Sequence, residues 1–208
     1  MLFPKIGFAS RHLGWALSNL RVIAGSARGQ RLSAVPGDIT RPITDRVKES
    51  LFNILAQDIH QASFWDLFAG TGAVGIEALS RGAGFVRFVD QHHVAVKTIR
   101  TNLEKTKLAP AAEVLPMDAF AALQQPVDRK FDYIYIAPPQ YKTLWLKALQ
   151  MVDARPEWLN EYAWVIVQID PTEDEPVDVK TLVEFDRRRY GSTLLLFYVY
   201  ESQTDRSP

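Results

Sequence analysis

The chain has 208 residues, 47% of them hydrophobic, with 24 basic and 24 acidic side chains and no cysteine. This content suffices for one well-buried domain, and no apolar run in the sequence is long enough to span a membrane. Without cysteine, disulfides, thiolate catalysis and cysteine zinc sites are excluded. Among the four histidines only His92 and His93 are adjacent, and neighbouring helical residues diverge, so no metal site is predicted.

The charge is unevenly distributed along the chain. The first 50 residues hold eight basic and three acidic side chains, which gives them a net charge of +5 and leaves −5 for the rest. A basic amino-terminal region favours a polyanionic partner, and a solvated leader is the alternative. Residues 1–19 have no acidic side chain and are interpreted as a leader or disordered arm.

The next segment predicts a hairpin followed by a helix. Residues 20–24 and 30–35 are interpreted as short strands around a glycine-containing turn at 25–29. Thr44 is suited to cap a helix, and Asp45 suits its first turn. The helix is expected to bury Val47, Leu51, Ile54 and Leu55, with Arg46, Lys48, Glu49 and Asn53 off that face.

From residue 63 the pattern alternates between strands and helices. Strands are predicted at 63–68, 84–90, 112–117, 131–136, 162–169, 181–187 and 193–200, and helices at 73–82, 91–106, 119–125, 141–153 and 156–160. Seven strands with helices between them indicate an α/β fold of three layers around a mostly parallel, Rossmann-like sheet. The last two strands are joined by a segment, 187–192, that is too short for a crossover helix. They are therefore expected to be antiparallel neighbours, so that the last strand is antiparallel.

A glycine-rich loop follows the first strand of this sheet. Gly70, Gly72 and Gly75 have the spacing of a nucleotide-binding loop, although an ordinary strand–helix turn is the alternative. Glycine lets a ligand lie against the backbone, and the following helix directs its free amides and dipole toward the ligand. The predicted cofactor-binding residues of this loop are Asp66, Phe68, Ala69, Gly70, Thr71 and Gly72.

Acidic residues also end the next two strands. Asp90 is placed to accept the ribose hydroxyls of a nucleotide, and Asp118, with Ala119, to meet an adenine amino group. Each acid taken alone is better explained as a helix cap than as a ligand. Asp66 is placed to receive the ammonium of a methionine moiety, and its carboxylate would repel the pyrophosphate of a dinucleotide. The pattern therefore favours S-adenosylmethionine, with a nicotinamide dehydrogenase as the weaker alternative.

The fourth strand ends in Ala137, Pro138, Pro139, Gln140 and Tyr141, the candidate catalytic segment. Consecutive prolines fix the backbone and leave carbonyls without competing local amides. At the carboxyl end of a central strand we interpret this segment as part of an active site rather than as a rigid strand exit.

These motifs resemble those of the RsmD family, the bacterial small-subunit rRNA (guanine-N(2))-methyltransferases. The resemblance runs from about residue 20 to residue 200, and its most specific part is amino-terminal, at 21–25, 28–29 and 41–47. It continues through 51–55, 66–72 and 76–83. It implies a class I S-adenosylmethionine-dependent methyltransferase that modifies the exocyclic amine of one guanine in 16S rRNA. The implied domains are an appendage at 20–58 and a methyltransferase domain at 59–201, with a tail at 202–208.

In that family an Asp or Asn before two prolines holds the target amine, and an aromatic ring stacks on the flipped base. Here Ala137 replaces the acid, and Gln140 intervenes before Tyr141. We expect the carbonyls of Ala137 and Pro138, with the Gln140 side chain, to hold the amine, and Tyr141 to stack. Because Ala137 lacks an acceptor, two alternatives stay open: a catalytically inactive RNA- and cofactor-binding assembly protein, and a methyltransferase of another nucleic-acid amine.

The implied partner is small-subunit rRNA or its assembling particle, without membrane or metal. The predicted phosphate contacts are Arg28, Arg31, Arg41 and Arg46, and the segment 187–189 is a further candidate. We expect a monomer in the cytoplasm, or in an organelle if residues 1–19 are a transit leader.

Overall fold

The computed structural model describes residues 20–36, 43–140 and 143–201. The predicted leader at 1–19 and the predicted tail at 202–208 lie outside the described residues. Two predicted site residues also lie outside them, Arg41 and Tyr141.

A seven-stranded sheet forms the centre of the molecule, in the order β3-β2-β1-β4-β5-β7-β6. Its strands are β1 Ser63–Asp66, β2 Phe85–Val89, β3 Ala112–Leu115, β4 Phe131–Ile136, β5 Leu159–Ile169, β6 Leu182–Tyr190 and β7 Thr193–Tyr200. Neighbouring strands from β3 to β5 are parallel, whereas β7 is antiparallel to both β5 and β6. The predicted fold class and the antiparallel last strand are confirmed.

Among the described residues, five α-helices cover the two faces of this sheet. They are α1 Asp45–Leu55, α2 Ala73–Ser80, α3 His93–Thr106, α4 Ala119–Gln124 and α5 Leu144–Asp153. Alternation along β1 separates two cores, since Phe64 packs with α1, α2 and α3 while Trp65 packs with α4 and α5. None of the helices in the described part of the chain is long and apolar enough to span a bilayer.

Two predicted boundaries near the carboxyl end were wrong. The helix expected at 156–160 is one 3-10 turn, Pro156–Trp158, because β5 begins at Leu159 beside the start of β4. Strand β6 continues to Tyr190, since Gly191, with a φ of +61°, lets a two-residue turn join it to β7. Arg187, Arg188 and Arg189 therefore lie in the edge strand and not in a turn.

The amino-terminal hairpin also differs from the prediction. Its two predicted strands reduce to a single antiparallel bridge between Arg21 and Arg31. The reason is a competing acceptor on α2: the amides of Ile23 and Ala24 donate to the two carboxylate oxygens of Glu77, at 2.8 and 3.0 Å. These amides are therefore not available for a β-ladder.

Glu77 also binds two cations inside the core. Its carboxylate lies 3.3 Å from Lys48 Nζ and 2.8 Å from Arg81 Nε, and both Glu77 and Lys48 are at most 1% exposed. Lys48 was expected off the buried face of α1, and that expectation was wrong because its ion partner lies on another helix. Desolvation lowers the pKa of Lys48, and the attraction of Glu77 opposes that shift.

A close backbone contact at Gly25 completes this attachment. Gly25 has a φ of +84°, and a Cβ atom there would lie 1.8 Å from the carbonyl oxygen of Ser80. The amide of Ser26 donates to that carbonyl at 2.8 Å, and the hydroxyl of Ser80 donates to Ala24 O. Only glycine fits at this approach. Segment 20–36 is thus fixed to α2, and most of its buried residues share a core with that helix. The predicted domain division at residue 58 stays a prediction.

Candidate functional site

A cavity of about 500 Å³ opens at the carboxyl ends of the central strands. Its size falls in the ordinary range for a small-ligand site. It brings together nearly all of the described residues predicted for the cofactor and the chemistry: Asp66, Phe68, Ala69, Gly70, Thr71, Asp90, Asp118, Ala119, Ala137, Pro138, Pro139 and Gln140. These residues come from the ends of four strands, which parallel pairing places at one edge of the sheet.

The glycine loop shapes one wall of this cavity. Gly70 and Gly72 have φ values of +55° and +76°, and the amide of Gly72 donates to Ala69 O at 2.7 Å to close a tight turn. Gly72 is the N-cap of α2 and is not itself a lining residue, although Ala73 and Val74 are. Its left-handed conformation therefore serves to turn the chain so that the start of α2 faces the cavity.

Asp66 is the buried acid of the site. Its side chain is 2% exposed, and Oδ2 accepts a hydrogen bond from Gly75 N at 3.2 Å. None of the described residues donates to Oδ1. Burial raises the pKa of Asp66 to about 7, helped by the negative charge of Asp90 and opposed by the Gly75 amide. A buried carboxylate with an open oxygen beside a cavity is suited to a ligand's ammonium.

Asp90 ties the glycine loop to the end of β2. Its Oδ2 accepts from Gly70 N at 2.8 Å, and its Oδ1 accepts from His92 N at 2.8 Å. Each carboxylate oxygen can accept a further hydrogen bond, so these contacts are compatible with the ribose role predicted for Asp90. The structure adds a second task that the sequence did not indicate, namely holding the loop.

Asp118 lies where β3 leads into α4, and it caps that helix. Its Oδ1 accepts from the amides of Phe120 and Ala121 at 2.9 and 3.0 Å, whereas no described residue donates to Oδ2. Beside it, the rings of Phe68 and Phe120 meet edge to face, with centroids 6.0 Å apart. Phe120, which the sequence did not single out, therefore adds an aromatic surface next to Asp118.

Four further polar residues that line the cavity were missed from the sequence, Gln91, His92, Tyr135 and Gln168, and the last two are hydrogen-bonded to each other. Tyr135 on β4 is 2% exposed, and its hydroxyl donates to Gln168 Oε1 on β5 at 2.5 Å. Burial, with the nearby Asp66 charge, holds the pKa of Tyr135 well above its usual value, so this phenol stays protonated and acts as a donor. A signal for Gln168 existed, since it is the single polar residue in the apolar run 163–169 apart from the indole of Trp164.

The three predicted phosphate contacts that the structure describes do not lie in the cavity lining. Arg28, Arg31 and Arg46 are exposed and form no ion pair with any described residue. By contrast, Arg187 is paired with Glu184 at 2.6 Å and with Asp174 at 3.0 Å.

Arg188 on the same strand is paired with Asp186 at 2.8 Å. Strand β6 is thus partly neutralised, which favours the amino-terminal arginines as the free basic groups. In the part of the chain that the structure describes, no three His, Asp or Glu side chains come together as metal ligands.

The chain is similar over most of its length to several known proteins. A family model described as Conserved hypothetical protein 95 matches residues 20–199. The Bacillus subtilis protein YlbH is 39% identical over 181 residues, covering 86% of this chain and 98% of that protein. Ribosomal RNA small subunit methyltransferase D of Haemophilus influenzae is 35% identical over 164 residues, covering 78% of this chain and 83% of its own.

The solved structure of Escherichia coli yhhF is also similar, with a TM-score of 0.79 and 30% identity. The match covers 88% of this chain and 98% of that one. The family model begins at residue 20 and so includes the amino-terminal segment as well as the sheet.

Proposed function

The chain belongs to the RsmD family, described as Conserved hypothetical protein 95, and we propose that it methylates the N(2) amine of a guanine in small-subunit rRNA. The methyl donor in this proposal is S-adenosylmethionine. The observation that carries the proposal is the buried Asp66 with an open oxygen, in the same cavity as the Pro-Pro exit of β4. A site for an amino-acid-bearing cofactor thus adjoins a rigid backbone segment suited to a planar base.

The residues of the cavity fit this cofactor. Asp66 would receive the ammonium, Asp90 the ribose hydroxyls, and Asp118 Oδ2 the adenine amino group, with Phe68 and Phe120 beside the adenine. When bound, the cofactor supplies an electrophilic methyl group on a sulfonium. The glycine loop leaves room for it, because no Cβ is present at Gly70.

The chain must then orient a weakly nucleophilic amine toward that methyl group. The lone pair of an exocyclic guanine amine is delocalised into the ring, so orientation and hydrogen bonding to its hydrogens carry the catalysis. The carbonyls of Ala137 and Pro138 are the proposed acceptors, with Gln140 beside them and Tyr141 as the stacking ring. The proposed partner is 16S rRNA or its assembling particle. In this proposal the protein is a monomer and binds that partner in the cytoplasm.

Two measurements test this function. Purified protein should transfer labelled methyl groups from S-adenosylmethionine to small-subunit rRNA or to pre-subunits. Nucleoside analysis of small-subunit rRNA from cells lacking the gene should show N(2)-methylguanine missing at one position. Cofactor binding without methyl transfer to either substrate would contradict the proposal and favour an inactive assembly protein, which Ala137 would then explain.

The pH dependence of cofactor affinity tests the role of Asp66. Because its pKa is about 7 in the free protein and an ammonium favours the ionised carboxylate, binding below pH 7 must expel a proton. We expect the affinity for S-adenosylhomocysteine, measured by calorimetry, to be highest near pH 8, where Asp66 is ionised and the ligand's amino group still carries its proton. It should fall toward tenfold per pH unit below pH 6. Asp66→Asn should bind more weakly and without this slope, while exposed Asp178→Asn should keep it.

Charge removal tests the amino-terminal arginines. Arg28→Ala combined with Arg31→Ala should weaken rRNA binding and lower the slope of log affinity against log salt concentration by about 1 for each lost phosphate contact. Filter binding at several salt concentrations measures both quantities. S-Adenosylhomocysteine affinity should not change, because neither arginine lines the cavity. Arg188→Ala, which removes an already paired charge, is the matched control, and an equal effect of that variant would contradict the assignment.

A further inference from the structure

The β4 exit of this chain lacks the side-chain acceptor that the resembled family has there. Ala137 lines the cavity with a methyl group, at the position where the resembled family has an acid or an amide. An exocyclic amine carries two hydrogens, and an unsatisfied buried donor costs free energy. A side chain from a neighbouring strand can supply this missing side-chain acceptor, so that the amine does not depend on main-chain carbonyls alone.

The sheet register identifies that neighbour. Tyr135 pairs with Ile166 and Ile136 pairs with Val167 in the parallel β4–β5 ladder. The next step in this register places Ala137 beside Gln168, with both side chains on the face that carries Tyr135 and Asp66. Both Ala137 and Gln168 line the cavity, so the small alanine leaves the Gln168 amide next to the place where an acid would be.

The amide of Gln168 is held in one orientation. Its Oε1 accepts a hydrogen bond from the Tyr135 hydroxyl at 2.5 Å, and Tyr135 itself is buried, with 2% of its surface exposed. An amide oxygen has two acceptor sites, so one remains for a ligand. Gln168 itself is half-buried, which keeps it in reach of the cavity, whereas Tyr135 lies beneath it in the core.

We propose that Gln168 holds the target amine through Oε1 in place of the acid absent at Ala137, and that Tyr135 positions Gln168. This inference rests on the methyl transfer proposed above. The amide oxygen accepts a hydrogen bond and does not take a proton at neutral pH, so its task is to orient the amine. Gln168 is the substrate-holding residue, and Tyr135 acts only through it.

The first test removes the acceptor. Gln168→Ala should lower kcat for methylation of small-subunit rRNA about 100-fold, as loss of one preorganised hydrogen-bonding group typically does. Its affinity for S-adenosylhomocysteine should stay within twofold of the native protein, and its melting temperature should be near native. Gln168→Met, which keeps the shape without the acceptor, repeats the test if the alanine variant unfolds. Exposed Gln124→Ala is the matched control and should keep native kcat.

The second test restores an acceptor at the family's position. Ala137→Asn added to Gln168→Ala should recover at least tenfold in kcat, which a structural role of Gln168 would not allow. Tyr135→Phe should lower kcat about tenfold with unchanged KM for rRNA, because it only frees the amide to rotate. This inference is overturned, and the proposed function is left standing, if Gln168→Ala keeps a kcat within threefold of native or if adding Ala137→Asn recovers no activity. No methyl transfer by the native protein overturns the proposed function as well, so the two failures are distinguishable.

Discussion

Replacing Glu77 by glutamine is expected to reduce the free energy of unfolding by about 3–5 kcal/mol, the usual cost of breaking a buried ion pair on one side. Glutamine leaves the ammonium of Lys48, which is 1% exposed, without its counter-charge. Glutamine also has a single side-chain oxygen, whereas the two carboxylate oxygens of Glu77 now accept from two backbone amides and from Arg81. Urea denaturation followed by circular dichroism measures the loss.

Two further variants make this measurement specific. Glu104→Gln changes the same residue type on an exposed turn of α3 and should stay within about 0.5 kcal/mol of the native protein. Lys48→Met combined with Glu77→Gln should lose less than the sum of the single changes, because the two side chains interact directly. A loss below 1 kcal/mol for Glu77→Gln would show that the network does not hold segment 20–36 to α2.

The largest expected effect on binding is at Asp90. Asp90→Ala should weaken S-adenosylhomocysteine binding at least 100-fold, about 2.7 kcal/mol. Two charge-assisted hydrogen bonds to the ribose would be lost, each contributing roughly 1.5–3 kcal/mol. The Gly70 amide, now 2.8 Å from Oδ2, would also lose the acceptor that holds the loop.

Calorimetric titration of S-adenosylhomocysteine checks this expectation. Asp90→Asn keeps one acceptor oxygen and should fall between the native protein and Asp90→Ala. Asp178→Ala removes an exposed carboxylate of the same charge that does not line the cavity, and this variant should bind normally. A change of less than threefold for Asp90→Ala would exclude Asp90 as a ribose ligand.

Most of the fold was predictable because strand and helix periodicities are local. The acid at each strand end could then be placed in the cavity, because parallel strands bring their carboxyl ends to one edge of the sheet. Asp66, Asp90 and Asp118 illustrate this: their positions follow from where β1, β2 and β3 stop. The task of each acid did not follow, since the bonds of Asp90 to Gly70 and of Asp118 to α4 depend on loop geometry.

The errors share a different cause, which is pairing between residues distant in sequence. Lys48 resembles a surface residue until Glu77 is brought beside it by the packing of α1 on α2. Residues 20–24 have a strand-like composition, but that same carboxylate accepts their amides. Gln168 was overlooked because its partner Tyr135 lies on another strand, 33 residues away. Local patterns do not contain such contacts.

The position of β7 between β5 and β6 has a consequence for the order of folding. Strand β5 pairs with β4, which precedes it, whereas β6 lies at the edge of the sheet and pairs only with β7, which follows it in sequence. A two-residue turn joins β6 to β7, so this pair can form locally as a hairpin within about 1–10 μs. The hairpin then docks through β7 onto β5, burying Leu195 and Phe197. A chain whose synthesis stops before residue 193 would therefore lack both β7 and a paired β6 in its sheet.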